Sequence, residues 1–121
     1  MRNDIINQLE AFQQKEKFVE DYSVFYPGIS DASMQEQLSD KVNSVASEFK
    51  NLVLNKQVKD TDFQHAIQVG LQSFEPIYID LDTEDRERIC HYMEELMDIV
   101  GLENSDGLLN QFMYGFNFSY L

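Results

Sequence analysis

Apolar residues along this chain return mostly at the three- and four-residue intervals of helices, and only two short stretches alternate as strands do. The clearest run is Ile89, Met93, Leu96 and Val100, the stripe of an amphipathic helix from about Thr83 to Val100. Its limits are legible too. Asp82 can cap the first turn, Glu84 and Asp85 lie where the helix dipole favours anions, and Gly101 supplies a left-handed exit. At ~100° per residue, Glu84, Glu87, His91, Glu94, Glu95 and Asp98 fall opposite the stripe, so the outer face is predicted to be an acidic ridge holding one imidazole. After the short connection Leu102 to Asn104, Ser105 or Asp106 can cap a further helix carrying Leu108, Leu109, Phe112 and Met113, packed on its predecessor as a corner or hairpin.

Upstream, Ile5, Leu9 and Phe12, with Ile6 beside them, predict a first helix whose stripe Phe18 and Val19 can extend past the polar run Gln13 to Lys17. Pro27 followed by Gly28 predicts a type II turn inside an aromatic connection, YSVFYPGIS. Ser33 and Glu36 have capping-box spacing ahead of Leu38, Val42, Val45, Phe49 and Leu52. A polar loop from Asn55 to Asp60 follows. Thr61 and Gln64 then offer a second capping box for Phe63, Ile67, Leu71 and Phe74, and Pro76 is expected to end that helix. Ile77 to Leu81 alternates, which predicts an extended linker turning three apolar side chains inward. The terminal FNFSYL alternates as well, suiting either pairing with that linker or docking as an aromatic tail. These elements predict an all-α fold, a compact bundle of four to five helices with one short extended segment, in a single domain over residues 1–121. Its expected core is Phe12, Val42, Val45, Phe49, Ile67, Leu71, Ile89, Met93, Leu96 and Phe112.

The block EELMDIVGLENSDGLLNQFMYGF, through Gly101, Leu102, Ser105, Asp106, Gly107, Leu108, Leu109, Asn110 and Gly115, resembles the C-terminal part of a family of small bacterial proteins of unknown function, of the domain-of-unknown-function type. The resemblance spans roughly the last fifth of the chain. It implies no activity, and the same residues also read as helix punctuation.

Composition supports a folded core over a disordered chain. Hydrophobic residues make up 43% of the 121, aromatics 12%, and no tract is of low complexity, which together outweigh a net charge of -13. The lone Cys90 cannot form an intramolecular disulfide, and Asn3, Asp4, Asn7, Gln8 and Glu10 interrupt any signal-like apolar run, so the expected compartment is the cytoplasm. No stretch approaches the ~18 apolar residues of a membrane span.

Candidate chemistry is sparse. His65 and His91 lack the neighbours of a nucleophilic triad, and Cys90 and His91, being adjacent on a helix, point about 100° apart. Glu87, His91 and Glu95 stand at i, i+4 and i+8, from which a metal-binding protein or small enzyme could be built if the fold brought His65 near. The di-iron bundle pattern, however, needs Glu three residues before His and a second copy. Asp80, Asp82 and Glu84 open like a calcium loop, but Asp85 stands where Gly is needed and His91 where Glu is needed. Phosphate-cradling loops, paired CxxC motifs and a nucleophile elbow are absent. No catalytic residue, cofactor or resident metal is therefore assigned. Met93, Met97 and Met113, at helical spacing, read as core.

Charge changes the picture most. Residues 1–60 hold seven basic and ten acidic residues, whereas residues 61–121 hold two basic, Arg86 and Arg88, against twelve acidic. Such a surface can serve solubility alone. It also suits a cationic protein partner and opposes nucleic acid and anionic lipid. The expected function is thus a small cytoplasmic binding protein, an inhibitor or an immunity- or antitoxin-like module, docking a basic partner through Glu84, Glu87, Glu94, Glu95 and Asp98. A self-associating structural subunit, joined through Tyr22, Phe25, Tyr26, Phe116, Phe118 and Tyr120, is the remaining alternative.

Overall fold

Each apolar stripe finds its complement in another helix, and the computed structural model, which describes residues 2–114, is an assembly of five α-helices on one core. They are α1 (Arg2–Gln14), α2 (Ala32–Val53), α3 (Asp60–Gln72), α4 (Thr83–Val100) and α5 (Leu108–Met113). The long α2 packs against α1, α3 and α4, and α5 closes over α4 and α3. All ten expected core residues are buried. Among the described residues no strand forms beyond one isolated bridge, and no helix is long and apolar enough to cross a membrane.

The termini follow local chemistry, with shifts of one or two residues from the sequence expectation. The Asp82 carboxylate accepts from the Asp85 N–H, and Gly101 leaves α4 at φ 78, as expected. At α2 the cap is Asp31, which accepts from the Met34 N–H, in place of Ser33. At α3 the chain turns at Lys59, whose N–H donates to Asp62 Oδ2 at 2.9 Å, so Thr61 and Gln64 already lie inside the helix. α3 ends at Gln72, before Pro76, because the proline belongs to a separate 3-10 helix, Glu75–Asp80. That helix replaces the extended linker. Tyr78 is held there by donating to the Phe112 carbonyl, and of the three apolar side chains expected inward only Leu81 is buried, while Ile79 is 88% exposed.

α1 also stops where its stripe was expected to continue. Phe18 lies in the left-handed region at φ 61 and is buried, so the chain turns away from the helix axis before it. Lys17 takes the place of continued helix. Its ammonium donates to the carbonyl of Phe12, in the last turn of α1, and to that of Lys15 just past the helix, and lies 4.3 Å from the Phe12 ring centroid. Burial, and secondarily Lys15, lower its pKa to about 8. Gly28, at φ 81, completes the connection. A Cβ there would stand 2.7 Å from the Glu20 backbone nitrogen, so only glycine lets this segment lie flat on residues 18–20. The expected packing of FNFSYL lies outside the described residues.

Candidate functional site

Three stripes run along α4, and each meets different surroundings. Ile89, Met93 and Leu96 enter the core. One step round, Asp85, Arg88, Tyr92 and Glu95 recur at intervals of three, four and three and grip the connection between α1 and α2. The Phe18 N–H donates to the Tyr92 hydroxyl oxygen at 2.8 Å, and Arg88 Nε donates to the same oxygen at 3.4 Å. The Tyr26 hydroxyl donates to Asp85 Oδ1 at 3.0 Å. Burial, then Asp85, raises the Tyr26 pKa, so this phenol stays a donor. The Arg88 guanidinium reaches Asp21 at 3.1 Å and lies 5.2 Å from the ring centroids of both Tyr26 and Tyr92. Lys15 donates to Glu95 Oε2 at 2.6 Å.

This grip shapes a small hairpin. Asp21 and Tyr26 exchange backbone hydrogen bonds of 2.8 and 2.9 Å around the single 3-10 turn Tyr22–Val24. The Asp21 carboxylate accepts from the Ser23 hydroxyl and N–H, which, with Arg88, holds its carboxyl below the usual range. Phe25 then takes a left-handed conformation, φ 57, which costs a non-glycine residue roughly 1–2 kcal/mol. The result is a display of apolar surface. Tyr22 is 79% exposed, Val24 61% and Phe25 88%.

The outer stripe of α4 completes the site. Glu84, Glu87 and His91 line a groove of about 480 Å³ with Asp21, Val24 and Phe25. Glu84, Glu87, Glu94 and Asp98 are exposed, whereas Glu95 is partly covered and engaged, accepting from Lys15 and standing 3.3 Å from His91 Nε2. Both arginines of the anionic half turn inward. Arg86 donates to the Tyr78 carbonyl at 3.0 Å with its guanidinium 3.9 Å from the Tyr78 ring centroid, and Arg88 is held as described. Neither offsets the ridge at its surface.

Other sequence-predicted positions separate. His65 lies on α3 and lines a different groove from His91, and among the described residues no group of three or more His, Cys, Asp or Glu is placed to hold a metal ion. Cys90 is buried and its thiol donates to the Leu109 carbonyl at 3.7 Å. Burial, with Glu94 and Glu87, pushes its pKa up to about 12, so a thiolate is disfavoured. Tyr26, expected among exposed aromatics, is buried beneath Arg88, while Phe116, Phe118 and Tyr120 lie outside the described residues. The gripping stripe was missed in the sequence, although its regular interval, with Tyr92 between two charged residues, carries the signal.

Comparison with known proteins agrees with this architecture. No curated protein matches the chain. A crystal structure of a DUF3571 family protein from Acinetobacter baumannii AYE is similar, with a TM-score of 0.86 and 32% sequence identity over 94% of this chain and 91% of that one. Residues 1–117 match the profile of a domain of unknown function, DUF4844, and the chain belongs to that family.

Proposed function

We propose that this protein is a small cytoplasmic binding module, of the inhibitor, immunity or antitoxin kind, that docks a basic protein partner in the groove between the Tyr22–Phe25 turn and the α4 ridge. The single observation that carries the reading is Phe25, displayed in a strained conformation beside Glu84 and Glu87. Exposed aromatics are frequent anchors of interfaces, and unpaired carboxylates beside one favour a partner with Lys or Arg around an apolar contact. Glu94 and Asp98 extend the same field along the helix, while Glu95 contributes its charge but is already held by Lys15.

Steering of this kind is screened beyond ~8 Å at physiological salt, so it acts on association rate. The test is capture of partners on the immobilised chain, followed by association kinetics of the purified candidate with wild type, Phe25→Ser and the triple variant Glu84→Lys, Glu87→Lys, Glu94→Lys. The triple variant is expected to associate about tenfold or more slowly in low salt, with Tm preserved, and Phe25→Ser to dissociate faster. A triple variant that associates at the wild-type rate in low salt overturns the proposal.

A further inference from the structure

A second groove lies across the molecule's other helix pair. The Phe49 and Phe63 rings, 5.0 Å apart, join α2 to α3, and Lys41 Nζ on α2 lies 6.0 Å from the ring centroid of Phe74, just beyond the end of α3. Between them the helices meet at Gly70, where an added Cβ would stand 2.2 Å from Val45 Cγ2. This close approach frames a groove of about 620 Å³, within the size range of small-molecule sites. Val45, Ala66, Val69 and Gly70 give it an apolar surface, and Val69 remains 52% exposed.

Opposite charges line it at separate points. Lys41 is half-buried and has no ion-pair partner among the described residues, in a chain with 22 acidic side chains. Glu48 lies two helical turns along the same face of α2 and has no partner there either. Seven residues of helix separate them by ~10 Å, too far to neutralise each other directly. An extended peptide of two or three residues spans ~7–10 Å between its terminal charges.

We propose that the α2–α3 groove binds a short apolar peptide with free termini, its carboxylate at Lys41, its ammonium at Glu48 and its side chains over Val45, Ala66, Val69 and Gly70. Alternatives fit the charges less well. A fatty acid held at Lys41 would run its tail towards Glu48 and Asp62, an internal polypeptide segment has neither terminal charge, and a second copy carrying -13 is repelled.

The test is a titration of the full chain, followed by amide NMR, with Leu-Ala-Leu, its N-acetyl form, its C-terminal amide and decanoate. Leu-Ala-Leu is expected to saturate at or below about 1 mM with shifts confined to α2 and α3, and each blocked terminus to weaken binding about tenfold. Lys41→Gln should erase the penalty of amidation and Glu48→Gln that of acetylation, with Tm as the control for folding. Failure to saturate, shifts centred elsewhere, blocked peptides binding equally well, or decanoate binding more tightly than Leu-Ala-Leu overturns the proposal.

Discussion

The connection from Lys15 to Asp31, between α1 and α2, and the one from Ser73 to Asp82, between α3 and α4, use one device for different ends. In each, an arginine of α4 covers a tyrosine: Arg88 over Tyr26 and Arg86 over Tyr78. In each, one large apolar side chain stands 88% exposed, Phe25 in the first and Ile79 in the second. The difference is in what holds the segment from below. The first is fastened by the buried Lys17 and Phe18 and by bonds to Tyr92, Asp85 and Arg88, and its tip overhangs the Glu84 and Glu87 groove. The second rests on buried Phe74 and Leu81 and on the Tyr78 contact to Phe112. An exposed hydrophobe alone is ordinary. One held out by a rigid hairpin over unpaired carboxylates is a better candidate for recognition.

The contrast should break most visibly at Phe18. Phe18→Ala removes a fully buried ring that stacks edge-on against Tyr92 at 5.1 Å and should cost about 3–5 kcal/mol by urea denaturation, whereas Ile79→Ala should stay within about 0.5. Equal small effects would mean that the first connection is not anchored through its core side.

Lys17 separates the connections through pH. Its folded pKa is lowered to about 8 from 10.5, so above 10.5 the group is neutral in both states, and the unfolded chain binds more protons between those values. Stability from this group is therefore greatest above 10.5 and is lost as pH falls through 8. Wild type should therefore gain stability relative to Lys17→Met as pH rises from 8 to 10.5. A pH-independent difference in unfolding free energy would show the ammonium to be unperturbed.

Smaller again is the loss of a hydroxyl. Tyr92→Phe leaves the buried Phe18 N–H without its acceptor and should cost about 1–3 kcal/mol, against about 0.5–1.5 for Tyr78→Phe, where a single hydrogen bond is removed. The reverse ranking of denaturation midpoints would place the tighter fastening at the second connection. The smallest stability effect belongs to Phe25→Gly. Relief of the left-handed strain is offset by the greater freedom of glycine in the unfolded chain, so stability should change by less than about 1 kcal/mol. A larger loss would mean that Phe25 packs internally and is not a display residue.

Much of the frame is readable without coordinates because the signals are local. The 89–100 stripe, Asp82 and Gly101 place α4 correctly to the residue, since capping and a left-handed exit depend on neighbours a few positions away. Where two local solutions compete, the sequence alone misleads. Ser33 and Thr61 have good capping spacing, but the helices start two residues earlier, where Asp31 accepts from the Met34 N–H and Asp62 from the Lys59 N–H. The alternation of Ile77 to Leu81 is likewise a weak cue over five residues, and contacts of Tyr78 to Arg86 and to Phe112, 34 residues away, wind that segment into a 3-10 helix.

The candidate site divides along the same line. Periodicity places Glu84, Glu87, Glu94, Glu95 and Asp98 on the outside of α4, and composition makes that half of the chain anionic; both follow from side-chain order and the geometry of one helix. Which of those charges is unpaired is a matter of three-dimensional proximity. Lys15, 80 residues away in sequence, occupies Glu95, Asp21 draws Arg88 inward, and Tyr26 disappears beneath that arginine while Phe25 is left in solvent. Ion pairs and burial depend on distance through space, and only the packing of α1 and its connection against α4 sets those distances.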